Sequence, residues 1–233
     1  MPRTATIVPV IATGALLGWA AIVGFDLRHD APIAAEGGAE FARQIELPVA
    51  MLPQGDPRWA TEPLGPSRGT LGSEGCAVAS AAMVLNFHGA EIDPGRLNRA
   101  LTAIPGGYTA GGWLYWEKAA EVTRASVAHA YEGPPRHRLI DRNLARGNPV
   151  IARVRMPTGT THFVVICGKD KDQYIIRDPG ARHAPRLSDL QAPVEAIRYY
   201  LPRPRTDPGQ SSKTPSDNFE KMSTFNHARC CSS

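Results

Sequence analysis

Apolar and polar residues follow two different rhythms along this chain. From Cys76 to His88 the residues are almost wholly apolar and rich in alanine, with no proline and no charge before the histidine. Gly89 stands just past the end of the run, so a helix is predicted over 76–88. A helix apolar on every face has to be buried on most of them, which makes it a central element. Asp93 followed by Pro94 predicts a cap and first position for a second helix over 93–101. Residues 113–122 suit an amphipathic helix, with Trp113, Trp116 and Ala120 on one core-facing stripe. A shorter helix is expected over 139–146, stopped by Gly147.

Beyond Gly147 the rhythm changes. Residues 149–155, 162–168, 173–178 and 194–201 are short β-branched and aromatic runs bounded by turn residues, and each reads as a strand. The second and third are joined through a charged hairpin at Lys169–Asp172. Helices followed by an antiparallel meander give the α+β class. Leu47–Gln54 is short and proline-bounded, an edge strand or an extended lead-in, and the glycine- and proline-rich stretch 55–74 reads as loop pinned by Trp59.

The ends differ from this domain, taken as 47–201. Thr4 to Phe25 carry no charge, enough residues to cover about 30 Å as a helix. An uncleaved signal anchor over 1–25 is expected, with a cleaved signal peptide as the alternative, because Pro9 interrupts the run. Arg3 places that end in the cytoplasm and the domain outside it, periplasmic or extracellular. Residues 26–46 read as a linker, and 202–233, proline-rich and then polar, as a disordered tail.

A net charge of +4, with basic residues scattered, argues against a nucleic-acid partner. Four cysteines, among them the adjacent Cys230 and Cys231, make no disulfide framework. No Cys/His spacing suits a metal, so neither metal nor cofactor is expected. Cys167 falls inside a strand and reads as a buried apolar residue.

Three residues carry candidate chemistry. Cys76 stands at the first turn of the central helix, at the positive end of the backbone dipole, where a sulfur becomes a better nucleophile. His162 opens one strand and Asp178 closes the next. If those strands form a hairpin about Lys169–Asp172, the two side chains meet at one rim, and the carboxylate fixes the tautomer of the imidazole. A nucleophile, a base and an orienting group then stand in one place.

Several short motifs carry a resemblance. Gln54-x-Asp56-x-x-Trp59, Gly75-Cys76 opening an alanine-rich helix that ends Phe87-His88-Gly89, and Gly147-Asn148-Pro149-Val150-Ile151 come first. Thr161-His162-Phe163-Val164-Val165 and Tyr174-Ile175-Ile176-Arg177-Asp178-Pro179 follow. Together, over about 47–200, they resemble the double-glycine (bacteriocin-processing) peptidase-like group, family thirty-nine of the cysteine peptidases. The resemblance implies a papain-like fold, a peptide or protein substrate, Cys76 as nucleophile, His162 as base and Asp178 as its orienting group. It also implies that Gln54, with the Cys76 backbone N–H, stabilises an oxyanion. No ATP-binding cassette and no multi-span transporter segment occurs in these residues, so a transporter-fused leader peptidase is not expected. Two other readings of the same residues are a transglutaminase-like acyl transferase and a catalytically inactive binding module.

Overall fold

The computed structural model describes residues 31–124, 126–180 and 185–203. The segments expected as signal anchor (1–25) and, apart from its first two residues, as tail (202–233) lie outside them, as do Cys230 and Cys231. Among the described residues no helix is long and apolar enough to cross a membrane. The chain divides into two units, Met1–Pro202 and Arg203–Ser233, and the first holds every element named here.

Strand β1 (Glu36–Glu46) is followed by the short helix α1 (Leu71–Glu74), then α2 (Cys76–Phe87), α3 (Pro94–Thr102) and α4 (Trp116–Val122). Strand β2 (Val127–Gly133), helix α5 (His137–Ala145), and strands β3 (Val150–Arg155), β4 (Thr161–Arg177) and β5 (Val194–Pro202) complete the order, with a 3-10 turn at Leu187–Leu190. The strands form one five-stranded antiparallel sheet in the order β1-β4-β3-β5-β2.

The sheet is covered on both faces, which explains why its central strands read as continuous apolar runs rather than alternating ones. Phe163, Val165 and Cys167 of β4 join one core with Val78, Ala82 and Leu85 of α2, Leu97 of α3 and Trp116 of α4. The intervening Val164 and Ile166 join a second core with Ile140 and Leu144 of α5. Period-two geometry sends successive side chains of one strand to opposite cores. Helix α2 is buried from Val78 through Leu85, as its all-round apolar sequence requires.

Strand β4 departs from the expected pair of strands at 162–168 and 173–178. It is one extended ribbon of 17 residues, yet it doubles back. The Cys167 sulfur lies 3.6 Å from the Ile175 carbonyl oxygen, and a Cβ added at Gly168 would stand 3.3 Å from that of Ile175. Lys171, at φ +54°, marks the bend. Strand hydrogen bonding continues around the bend because β1 pairs with Gly168 to Gln173 on the way.

That same β1 corrects the linker reading of 26–46, since residues 36–46 are part of the sheet. Its buried contacts come from far along the chain. Lys169, expected in a charged hairpin, is fully buried and donates to the Gly37 carbonyl and to Asp141 Oδ1. Leu47–Gln54 forms no strand and is the extended lead-in, tied by Leu47 N to the Cys167 carbonyl at 2.8 Å. Strand β2 was not anticipated, and α5 starts at His137 rather than at residue 139. The helix expected from Trp113 begins at Trp116, because the preceding residues are held in a turn by Thr109.

Candidate active site

Helix α2 begins at Cys76, directly after α1, whose Thr70 and Ser73 form a reciprocal cap. Gly75 joins the two helices, and a side chain there would collide with the Leu71 carbonyl. This tight junction fixes where α2 starts and leaves the Cys76 sulfur at its N-terminal rim, partly exposed. One turn further, the buried Ser80 hydroxyl donates to the Phe163 carbonyl at 3.2 Å. That bond ties the face of α2 that carries Cys76 to the residue after His162. Sequence reasoning passed over Ser80; its signal is a hydroxyl four residues from the cysteine in an otherwise apolar run.

The doubled ribbon brings its two ends together. His162 Nε2 lies 2.6 Å from Asp178 Oδ1, although sixteen residues of straight strand would separate them by about 50 Å. The Asp178 carboxylate is nearly buried and also accepts from Gly180 N at 2.8 Å. With Nε2 engaged, the other ring nitrogen is left on the side of the cleft that Cys76 also lines, where the sulfur lies 4.0 Å from the Glu74 carbonyl oxygen. Burial alone would push the His162 pKa down. The hydrogen bond to Asp178, with the Asp178 carboxylate charge and the neighbouring Cys76 adding to it, more than offsets burial, and the imidazole is held up at about 9. The protonated form is thereby favoured at neutral pH, aligned by a carboxylate on a cleft that the sulfur also lines.

Gln54 joins them from a distant part of the chain. Its backbone N–H donates to the Pro179 carbonyl at 2.9 Å, beside the Asp178 turn. Its side-chain Nε2 donates to the Gly72 carbonyl at 2.9 Å, just ahead of Cys76. The loop that returns it is pinned by Trp59, which is buried and donates from Nε1 to the Pro53 carbonyl at 2.9 Å. One amide hydrogen of Gln54 is thus occupied and one remains. All four residues, Gln54, Cys76, His162 and Asp178, line one cleft of about 1080 Å³. Cys167, by contrast, lies in the core, where burial pushes its thiol up to about 11. Among the described residues no cluster of His, Cys, Asp and Glu could hold a metal ion.

A buried helix opening on a cysteine packs on an antiparallel sheet whose rim carries a histidine and an aspartate, and the family to which the chain belongs is one of cysteine peptidase-like domains. The chain belongs to the Peptidase_C39 like family, whose model it matches over residues 46–200. Seven chains of solved structures match it. One is the crystal structure of a C39-like peptidase, so assigned only provisionally, from Bacillus anthracis, at 18% identity and a TM-score of 0.43, covering 69% of this chain and 98% of that one. No curated protein matches.

Proposed function

We propose that this domain is a papain-like thiol hydrolase that cleaves a peptide or related amide bond through a thioester on Cys76. The observation that carries the reading is the 2.6 Å His162–Asp178 contact on a cleft that Cys76 also lines from a helix start. Family membership supports the same class. The Cys76 sulfur attacks the carbonyl carbon, and the oxyanion that develops is held by the Cys76 backbone N–H and the unengaged Gln54 amide hydrogen. His162 gives its proton to the leaving amine. Water then attacks the thioester with His162 as base, and the sulfur leaves as the acid is released. The N-terminal apolar segment would tether or export the domain, so that it works outside the cytoplasm on peptide or protein substrates.

Cys76→Ala tests this directly. Turnover is expected to disappear, along with fast alkylation by iodoacetamide mapped by peptide mass spectrometry, while the circular dichroism spectrum stays the same. Alkylation of wild-type protein no faster at Cys76 than at the buried Cys167 would refute the nucleophile assignment.

A further inference from the structure

The lining of the cleft mixes polar side chains, Gln54, Asp56 and Glu74 among them, with the apolar Trp113, Leu114, Met156 and Phe163. Three tryptophans fall among the described residues. Trp59 and Trp116 are 2% and 5% exposed, but Trp113 is 51% exposed. The stripe Trp113, Trp116 and Ala120 predicts core packing for all three. Trp116 and Ala120 follow it, and Trp113 does not.

The exposed indole is held in place. Thr109 N donates to the Trp113 carbonyl at 2.8 Å, and Gly112 N to the Thr109 carbonyl at 3.0 Å. Trp113 N in turn donates to Thr109 Oγ1 at 3.1 Å. Gly112 sits at φ +82°, and a Cβ there would come within 2.9 Å of Ser67 Cβ, so the turn requires glycine. The indole meets the Phe163 ring edge to face, with centroids 6.2 Å apart and planes at 70°. Phe163 is itself buried and braced by Trp116 and the Arg198 guanidinium. A large apolar surface fixed in position and left half in water gains most from a partner that covers it, because little ordering entropy remains to be lost.

We propose that Trp113 is a specificity-determining residue: its ring is the platform on which a large, uncharged apolar side chain of the peptide substrate, aromatic for preference, stacks beside Cys76. This rests on the thiol-hydrolase reading above. Of the two large aromatic side chains that line the cleft, Phe163 is buried and Trp113 alone offers an open face, and stacking on it adds to the area that an aromatic side chain buries.

The probes are short peptide α-ketoamides that span both sides of the reactive carbonyl. The Cys76 sulfur adds to the ketone carbon, the C–O π bond opens, and the oxygen takes the proton of His162, giving a reversible hemithioketal. Affinity is read as protection of Cys76 from iodoacetamide, in wild type, Trp113→Ala and Trp113→Phe. Phenylalanine is placed at each of four positions around the carbonyl and compared with alanine and lysine.

At one position phenylalanine is expected to bind about tenfold more tightly than alanine or lysine. That advantage should vanish in Trp113→Ala and largely persist in Trp113→Phe, while the intrinsic iodoacetamide rate stays unchanged in all three. No such position in wild type, an advantage retained in Trp113→Ala, or lysine binding as well as phenylalanine would each overturn the platform. Slow alkylation of Cys76 by iodoacetamide alone would instead remove the thiol-hydrolase reading beneath it.

Discussion

Two acid–base pairs are anchored by the same ribbon and do opposite things. At the open ends of β4, His162 meets Asp178 at 2.6 Å on the rim of the cleft. At its bend, Lys169 meets Asp141 at 2.6 Å with no exposure at all on the lysine. In the sealed pair the contacts surround the charges. Lys169 also donates to the Gly37 carbonyl and lies over the rings of Tyr174 and Phe41. Asp141 also accepts from the Tyr174 hydroxyl at 3.0 Å and from Ala39 N at 2.8 Å. In the open pair one imidazole nitrogen is left on the cleft that a sulfur also lines. A pair enclosed by its partners can only hold three elements together, here α5, β1 and β4; a pair left open on one side can pass on a proton.

The comparison breaks most visibly through Asp178→Asn. The amide keeps the shape and an acceptor for Gly180 N but no longer stabilises the imidazolium or selects its tautomer. Turnover is expected to fall about 10³–10⁴-fold, while the protein stays folded by circular dichroism at pH 7. Asp141→Ala should do the reverse. Removing one partner of a buried pair leaves Lys169 as an uncompensated charge, at a cost of about 3–5 kcal/mol of stability measured by urea unfolding. The iodoacetamide rate of Cys76 in the folded fraction should be unchanged. If instead Asp141→Ala slowed that rate in folded protein, the two ends of the ribbon would not be independent.

The two pairs also differ in how far the chain announces them. His162 and Asp178 flank the Lys169–Asp172 bend almost evenly, so local hairpin geometry is enough to bring them together, even though the ribbon is continuous where two strands were expected. Cys76 is legible because an all-apolar helix has one sensible start. Gln54 stands out only through its motif, and its position depends on how the Trp59 loop returns. Lys169 is illegible: it reads as a turn charge, and its partners lie 28 and 132 residues away. Strand β1 fails for the same reason, since its polar, glycine-containing sequence has no rhythm of its own and is held by those distant groups. Trp113 misleads differently, because three-residue spacing from Trp116 imitates a helical stripe before the helix has begun.

The smallest expected effect separates the pairs by pH. His162 is raised in the folded protein to about 9, against an ordinary value near 6.5 when unfolded. The folded state therefore binds the extra proton, and the resulting stabilisation is complete below about pH 6.5 and is lost as pH rises through 9. Between pH 6.5 and 8.5 the His162 contribution therefore falls as pH rises. Burial pushes His88, His129 and His137 down instead, so they weaken the protein only on the acid side of that window. The Cys167 thiol, raised to about 11, adds its own loss only above the ordinary thiol range. Urea unfolding at intervals across pH 6.5–8.5 should show the decline in wild type and a flatter profile in Asp178→Asn, where the imidazolium has lost its carboxylate. In Asp141→Ala the whole curve should drop with its slope intact, because the group that titrates in this window is at the other end of the ribbon. The same slope in wild type and in Asp178→Asn would mean that the carboxylate does not hold His162 protonated, and the open pair would then differ from the sealed one in exposure alone.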